Sequence, residues 1–177
     1  MTVARLPFMA LAGLSLLAAL WGGLIRLGWP LPLVPTLPPN HGPLLVTGFL
    51  GTLIGLERAV ALKRRWPYGA PLLSGLGGLA LLAGLNVHLG RGLMAAGGAF
   101  LVAVFVLLWR RQPAVYLATM GLGAVLWVAG TVLWHGGFAL YQVAPWWIGF
   151  LVLTIAGERL ELSRLLRLSA WSRAGFL

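Results

Sequence analysis

The sequence predicts an all-α polytopic membrane protein: a bundle of six transmembrane helices with a parallel internal repeat. Three observations carry this. Hydrophobic residues make up 60% of the 177 residues and charged residues 9%, with a mean hydropathy of +0.93. Soluble domains carry roughly 25% charged residues. The apolar residues fall into runs of about 20, the length a helix needs to cross a bilayer core. The basic residues gather at alternate run ends, as cytoplasmic loops do.

The runs place spans at about 6–27, 43–62, 70–88, 93–109, 114–134 and 143–160. The first follows Arg5 and stays apolar to Ile25. That exceeds the ~7–15 residues of a secretory leader's apolar core, so a retained span is expected. Gly28 to Asn40 holds five prolines, which interrupt helix. Lys63–Gly69 ends the second span, and Leu89–Gly92, Arg110–Pro113 and His135–Gly137 end the next three. The residues from 161 to 177 place arginines and Trp171 among leucines, the pattern of an interfacial tail. One integral membrane domain over residues 1–177 uses the whole length.

Arg5, Lys63, Arg64, Arg65, Arg110, Arg111, Arg164, Arg167 and Arg173 fall on one side, and only Arg26 and Arg91 on the other. The first side is expected to be cytoplasmic, with both termini there, in the cytoplasmic membrane of a bacterium. The net charge of +10 is therefore read as contact with anionic lipid headgroups, not with nucleic acid. Most of the nine tryptophans mark span ends, as an aromatic belt does. The absence of cysteine removes disulfides, thiolate metal sites and cysteine nucleophiles. Aspartate is also absent, and no nucleophile–base–orienter set appears, so hydrolase and phosphoryl-transfer templates find no foothold.

All three acidic residues sit in or beside two copies of one motif. Gly48 to Arg58 reads GFLGTLIGLER, and Gly149 to Arg159 reads GFLVLTIAGER, 101 positions on. Six of the eleven positions match, and Glu161 follows the second copy. A Glu and an Arg inside a membrane helix are costly, so two such pairs suggest duplication and a paired role. Spans 2 and 6 run in the same direction, which makes the repeat parallel. Glu57 is expected ~6 Å to the cytoplasmic side of its span centre. Adjacent helical residues point about 100° apart, so cross pairs are expected: Glu57 with Arg159 and Glu158 with Arg58. They either hold the bundle in register or line a proton or ion pathway. Thr47, Gly51 and Gly55 form a ladder of small residues suited to close helix packing.

The three histidines, His41, His88 and His135, all lie at span ends on the exoplasmic side: His41 opens span 2, His88 closes span 3 and His135 closes span 5. Three imidazoles at one level suit copper, zinc or iron, and two of them suit a haem iron. The other reading is that histidine is simply comfortable at an interface.

The stretch HGPLLVTGFLGTLIGLERAVAL, His41 to Leu62, resembles the opening of a span in small bacterial multipass membrane proteins. It is also similar to the NnrS family of haem- and copper-containing multipass proteins of nitric oxide metabolism, where a histidine opens a Gly- and Phe-rich helix. His41, Gly48 and Phe49 carry that similarity, which implies a haem or metal ligand at His41. Three functions stand open: a haem- or metal-binding protein of respiratory or nitrogen-oxide metabolism, a small transporter or channel using the Glu-Arg motifs, and a non-catalytic accessory subunit. A larger respiratory complex or a second copy of the chain is the expected protein partner.

Overall fold

The computed structural model describes residues 5–163. Residues 164–177, with the tail expected to lie on the membrane surface, are outside the described part. The described chain is all-helical, with six principal helices: α1 (Leu6–Arg26), α2 (Leu37–Leu62), α3 (Gly69–Leu82), α4 (Val87–Arg111), α5 (Val115–His135) and α6 (Leu140–Ser163). Five are long and apolar enough to cross a membrane, and α3, with 14 residues, is not. This corrects the expectation of six full spans. Gly84, at φ +67°, ends the segment early, and Asn86 starts the next helix by accepting the His88 amide.

Consecutive helices run antiparallel. Thr36 donates to the Leu82 carbonyl, which places the start of α2 beside the end of α3. Arg91 donates to the Trp134 carbonyl, which does the same for α4 and α5. One end of the bundle thus carries Arg26, His41, His88, Arg91 and His135. The other carries Lys63, Arg64, Arg65, Arg110 and Arg111.

Small residues decide how close the helices come. On α1, Ala12, Ser15, Ala18, Ala19 and Gly22 are buried while Leu14, Leu17 and Leu20 face outward. This is a stripe at helical spacing with its large residues reversed: the smallest side chains face the neighbours. A Cβ on Gly22 would stand 2.5 Å from the Leu37 carbonyl oxygen. On α3, a Cβ on Gly77 would stand 2.8 Å from the Gly90 carbonyl oxygen of α4. Without a solvophobic drive between helices in lipid, such backbone approach supplies the van der Waals contact that holds them.

The central helix is α2. It begins six residues earlier than the predicted span, because Pro38 and Pro39 fall in its first turn, where the missing N–H groups have no partner to lose. Pro43 lies inside the helix, and Leu44–Leu50, directly after it, adopt π-helical spacing. The Thr47 hydroxyl donates back to the Pro43 carbonyl at 2.7 Å. The core beside α2 is aromatic: Trp127 is fully buried, stacked on Phe150 with ring centroids 5.1 Å apart.

Candidate functional site

The second half of α2 delivers the charges. Arg58 is buried, and all three acidic side chains of the chain converge on it. Its Nη2 lies 3.3 Å from Glu57 Oε1 and 3.4 Å from Glu158 Oε1, and its Nη1 lies 3.3 Å from Glu161 Oε2. Glu158 and Glu161 are three residues apart on α6, so they share a face and reach one guanidinium together. The arginine side chain is 9% exposed, whereas the carboxylates are 59%, 38% and 41% exposed for Glu57, Glu158 and Glu161. The cation is therefore a hub inside the bundle, and the anions are reachable from outside.

Two expectations change. Glu57 does not reach Arg159; it turns to its own neighbour, because an arginine side chain is long enough to swing across the 100° between adjacent positions. Arg159 is exposed, and no ion pair joins it to Glu57. The two motif copies therefore occupy unlike environments: α2 is widened by its π turns and buries its arginine, whereas α6 faces its arginine outward. With α2 starting at Leu37, Glu57 lies about 11 Å from the midpoint of the helix at 1.5 Å per residue.

On α1, α2 and α3 the hydroxyls of Ser15, Thr47, Thr52 and Ser74 are all fully buried. Ser74 donates to the Thr47 carbonyl, and Thr47 Oγ1 also lies 2.8 Å from Met94 Sδ. Ser15 Oγ, Thr52 Oγ1 and Arg58 Nε are buried without a hydrogen-bond partner. A buried orphan polar atom costs about 1–3 kcal/mol, so such atoms mark places where water or a ligand supplies the missing bond. Sequence reading took Thr47, Gly51 and Gly55 as a packing ladder and passed over Ser15, Thr52 and Ser74. Nothing in their spacing distinguishes a hydroxyl that packs from one left without a partner.

The histidines divide. His88 and His135 meet edge to face with ring centroids 5.3 Å apart. His41 stands elsewhere, in the first turns of α2, with its Cδ2 toward Gly23 of α1. The expected gathering of three imidazoles does not form: among the described residues no group of three His, Asp or Glu could hold a metal ion. The topology explains this, since α2 enters beside α1 whereas His88 and His135 cap the α4–α5 pair. His88 also opens α4 instead of closing the third span. Arg91 lies over the Trp134 ring at 4.3 Å while donating to its carbonyl at 2.8 Å, so the neighbouring cation is engaged by protein.

Chemically, the site offers three acidic side chains on one buried arginine, two buried hydroxyls without partners, and a pair of imidazoles at the opposite end of the bundle. No curated protein and no solved structure is matched by the chain. One family model does match, over residues 5–177, nearly the full length. The chain belongs to the family defined by the domain of unknown function DUF8744.

Proposed function

We propose that the chain is a small multipass membrane protein that passes protons or small cations along α2, with the Arg58 cluster as its station near the arginine-rich end. The observation that carries this is the excess of anion. A single carboxylate would neutralise Arg58, yet three converge on it, leaving a formal surplus of two negative charges among the four groups. A pair that only fixed helix register would not need the second and third acid. Charged residues at membrane depth that face the bundle interior mark ion pathways and proton relays. The orphaned hydroxyls of Ser15 and Thr52 continue the path inward. The two motif copies are read as one duplicated element whose second arginine has lost the inward role.

The test is proton or potassium flux in liposomes containing the purified protein, compared with empty liposomes. Glu158→Gln and Thr52→Val are each expected to remove most of the flux while the protein remains folded. Flux no greater than in empty liposomes, or flux indifferent to both substitutions, would sink the proposal.

A second reading is favoured by the His88–His135 contact. Two imidazoles bound tetrahedrally to one ion at about 2.0–2.1 Å have ring centroids roughly 5 Å apart, near the observed 5.3 Å. A haem iron would need the rings on opposite sides of a macrocycle, which this edge-to-face contact leaves no room for. Copper or zinc therefore suits the pair better than haem, with exchangeable ligands completing the shell. Metal titration of the purified protein, and of His88→Ala, decides it. Stoichiometric binding that needs His88 supports the reading, and unaltered binding in the variant removes it.

A further inference from the structure

We propose that the groove between α1, α2 and α6 at the histidine end is a binding site for an acidic phospholipid. The groove holds about 290 Å³. Its walls include Val46, Ala144, Trp147 and Ile148, and its rim carries Arg26, His41 and Tyr141. Apolar walls below a cationic rim complement an amphiphile with an anionic head.

Three details point to a ligand at that rim. Arg26 is exposed at the end of α1 and has no ion-pair or hydrogen-bond partner among the described residues, in contrast to Arg91, which is held by Trp134. His41 Nδ1 lies 2.8 Å from the Pro38 carbonyl, an acceptor only, so Nδ1 carries a proton. The Nε2 atom is then left for a partner in the groove. Tyr141 is 78% exposed and brings a hydroxyl to the same rim. The Trp147 indole N–H, by contrast, is used internally, donating to Thr131 Oγ1 at 3.2 Å, so this ring serves as wall.

The occupant is a lipid and not a soluble anion because the groove opens sideways. Ile148 is 58% exposed on the lateral surface of α6, the surface that hydrocarbon would wet. A phosphate at Arg26, with its headgroup hydroxyls toward His41, leaves its acyl chain to run along Val46 and Ile148, toward the middle of the bundle.

Native mass spectrometry of the detergent-purified full chain tests this, with phosphatidylglycerol and phosphatidylcholine of identical chains added at equal concentration. One phosphatidylglycerol is expected to be retained over phosphatidylcholine, and Arg26→Gln to reduce that preference about fivefold, as one basic residue near an anionic headgroup does. Arg26→Lys should keep much of it, and Ile148→Trp should lower retention by filling the groove. Arg110→Gln, an equal charge loss at the other end, should leave it unchanged. Equal retention of the two lipids, a preference indifferent to Arg26→Gln, or one lost equally in Arg110→Gln would overturn the site. Displacement of the lipid by inorganic phosphate would also overturn it, in favour of a soluble anion.

Discussion

Arg58 on α2 and Glu158 on α6 are 3.4 Å apart, and this contact ties the central helix to the last one across 100 positions of sequence. The next residue along, Arg159, is exposed. One of the two Glu-Arg motifs therefore supplies the cation and the other supplies an acid.

That asymmetry sets the first expectation. Arg58→Gln leaves three carboxylates facing one another without their shared cation, and should destabilise the protein by about 2–4 kcal/mol, below the full cost of breaking a buried pair because the acids are partly solvated. Arg159→Gln should change stability by less than about 0.5 kcal/mol. Thermal unfolding in detergent, followed by tryptophan fluorescence, compares them. Equal losses would mean that the hub is not at Arg58.

Gly51 and Trp127 make a steric pair. A Cβ at Gly51 would stand 2.6 Å from the Trp127 ring, whereas one at Gly13 meets nothing within 4 Å. Gly51→Ala should cost about 1–3 kcal/mol through overpacking. Gly13→Ala should be neutral or stabilising by up to about 1 kcal/mol, as helix propensity dictates. Adding Trp127→Phe to Gly51→Ala should recover part of the loss, a non-additivity that a double-mutant cycle measures directly.

The division of the histidines can be read chemically, because the chain has no cysteine of its own. His88→Cys with His135→Cys should be joined by a short bifunctional maleimide, seen as a single cross-linked mass on the intact chain. His41→Cys with either partner should instead take up two separate reagent molecules. Efficient joining of positions 41 and 88 would contradict the placement of α2.

Asn86 caps α4 through the His88 amide at 2.9 Å. Asn86→Ala should therefore lower stability by about 1 kcal/mol, while Asn86→Asp, which retains the acceptor, should nearly match the parent. Both are measurable in the same thermal assay.

Much of the fold was legible because apolar length is a strong signal. The runs located α1, α5 and α6 to within a few residues, while α4 begins six residues before its expected start at 93. The errors came from punctuation. Prolines 38 and 39 read as a break, yet in a first turn they cost nothing, so α2 begins sooner than its apolar run. The run after Gly69 read as continuing to His88, although Gly84 and Asn86 carry the stop and start signals together.

The charged site was half legible. The approach of Glu158 to Arg58 followed from the motif, whereas Glu161 joining them could have been read from its three-residue spacing after Glu158. The separation of His41 from His88 and His135 could not have been read, because equal depth along different helices says nothing about which helices are neighbours.

The short third helix has a consequence for its surroundings. Fourteen residues reach about 21 Å at 1.5 Å per residue, against ~30 Å of hydrocarbon. In a bilayer, a flank this short draws the interface inward through local thinning, since tilting would only shorten its reach. Such thinning would bring hydrated headgroups nearer to Ser74, on α3, and its partner Thr47. In a bilayer, a length mismatch on one side of the bundle would thus bring water nearer to a polar interior that no charged residue on α3 advertises.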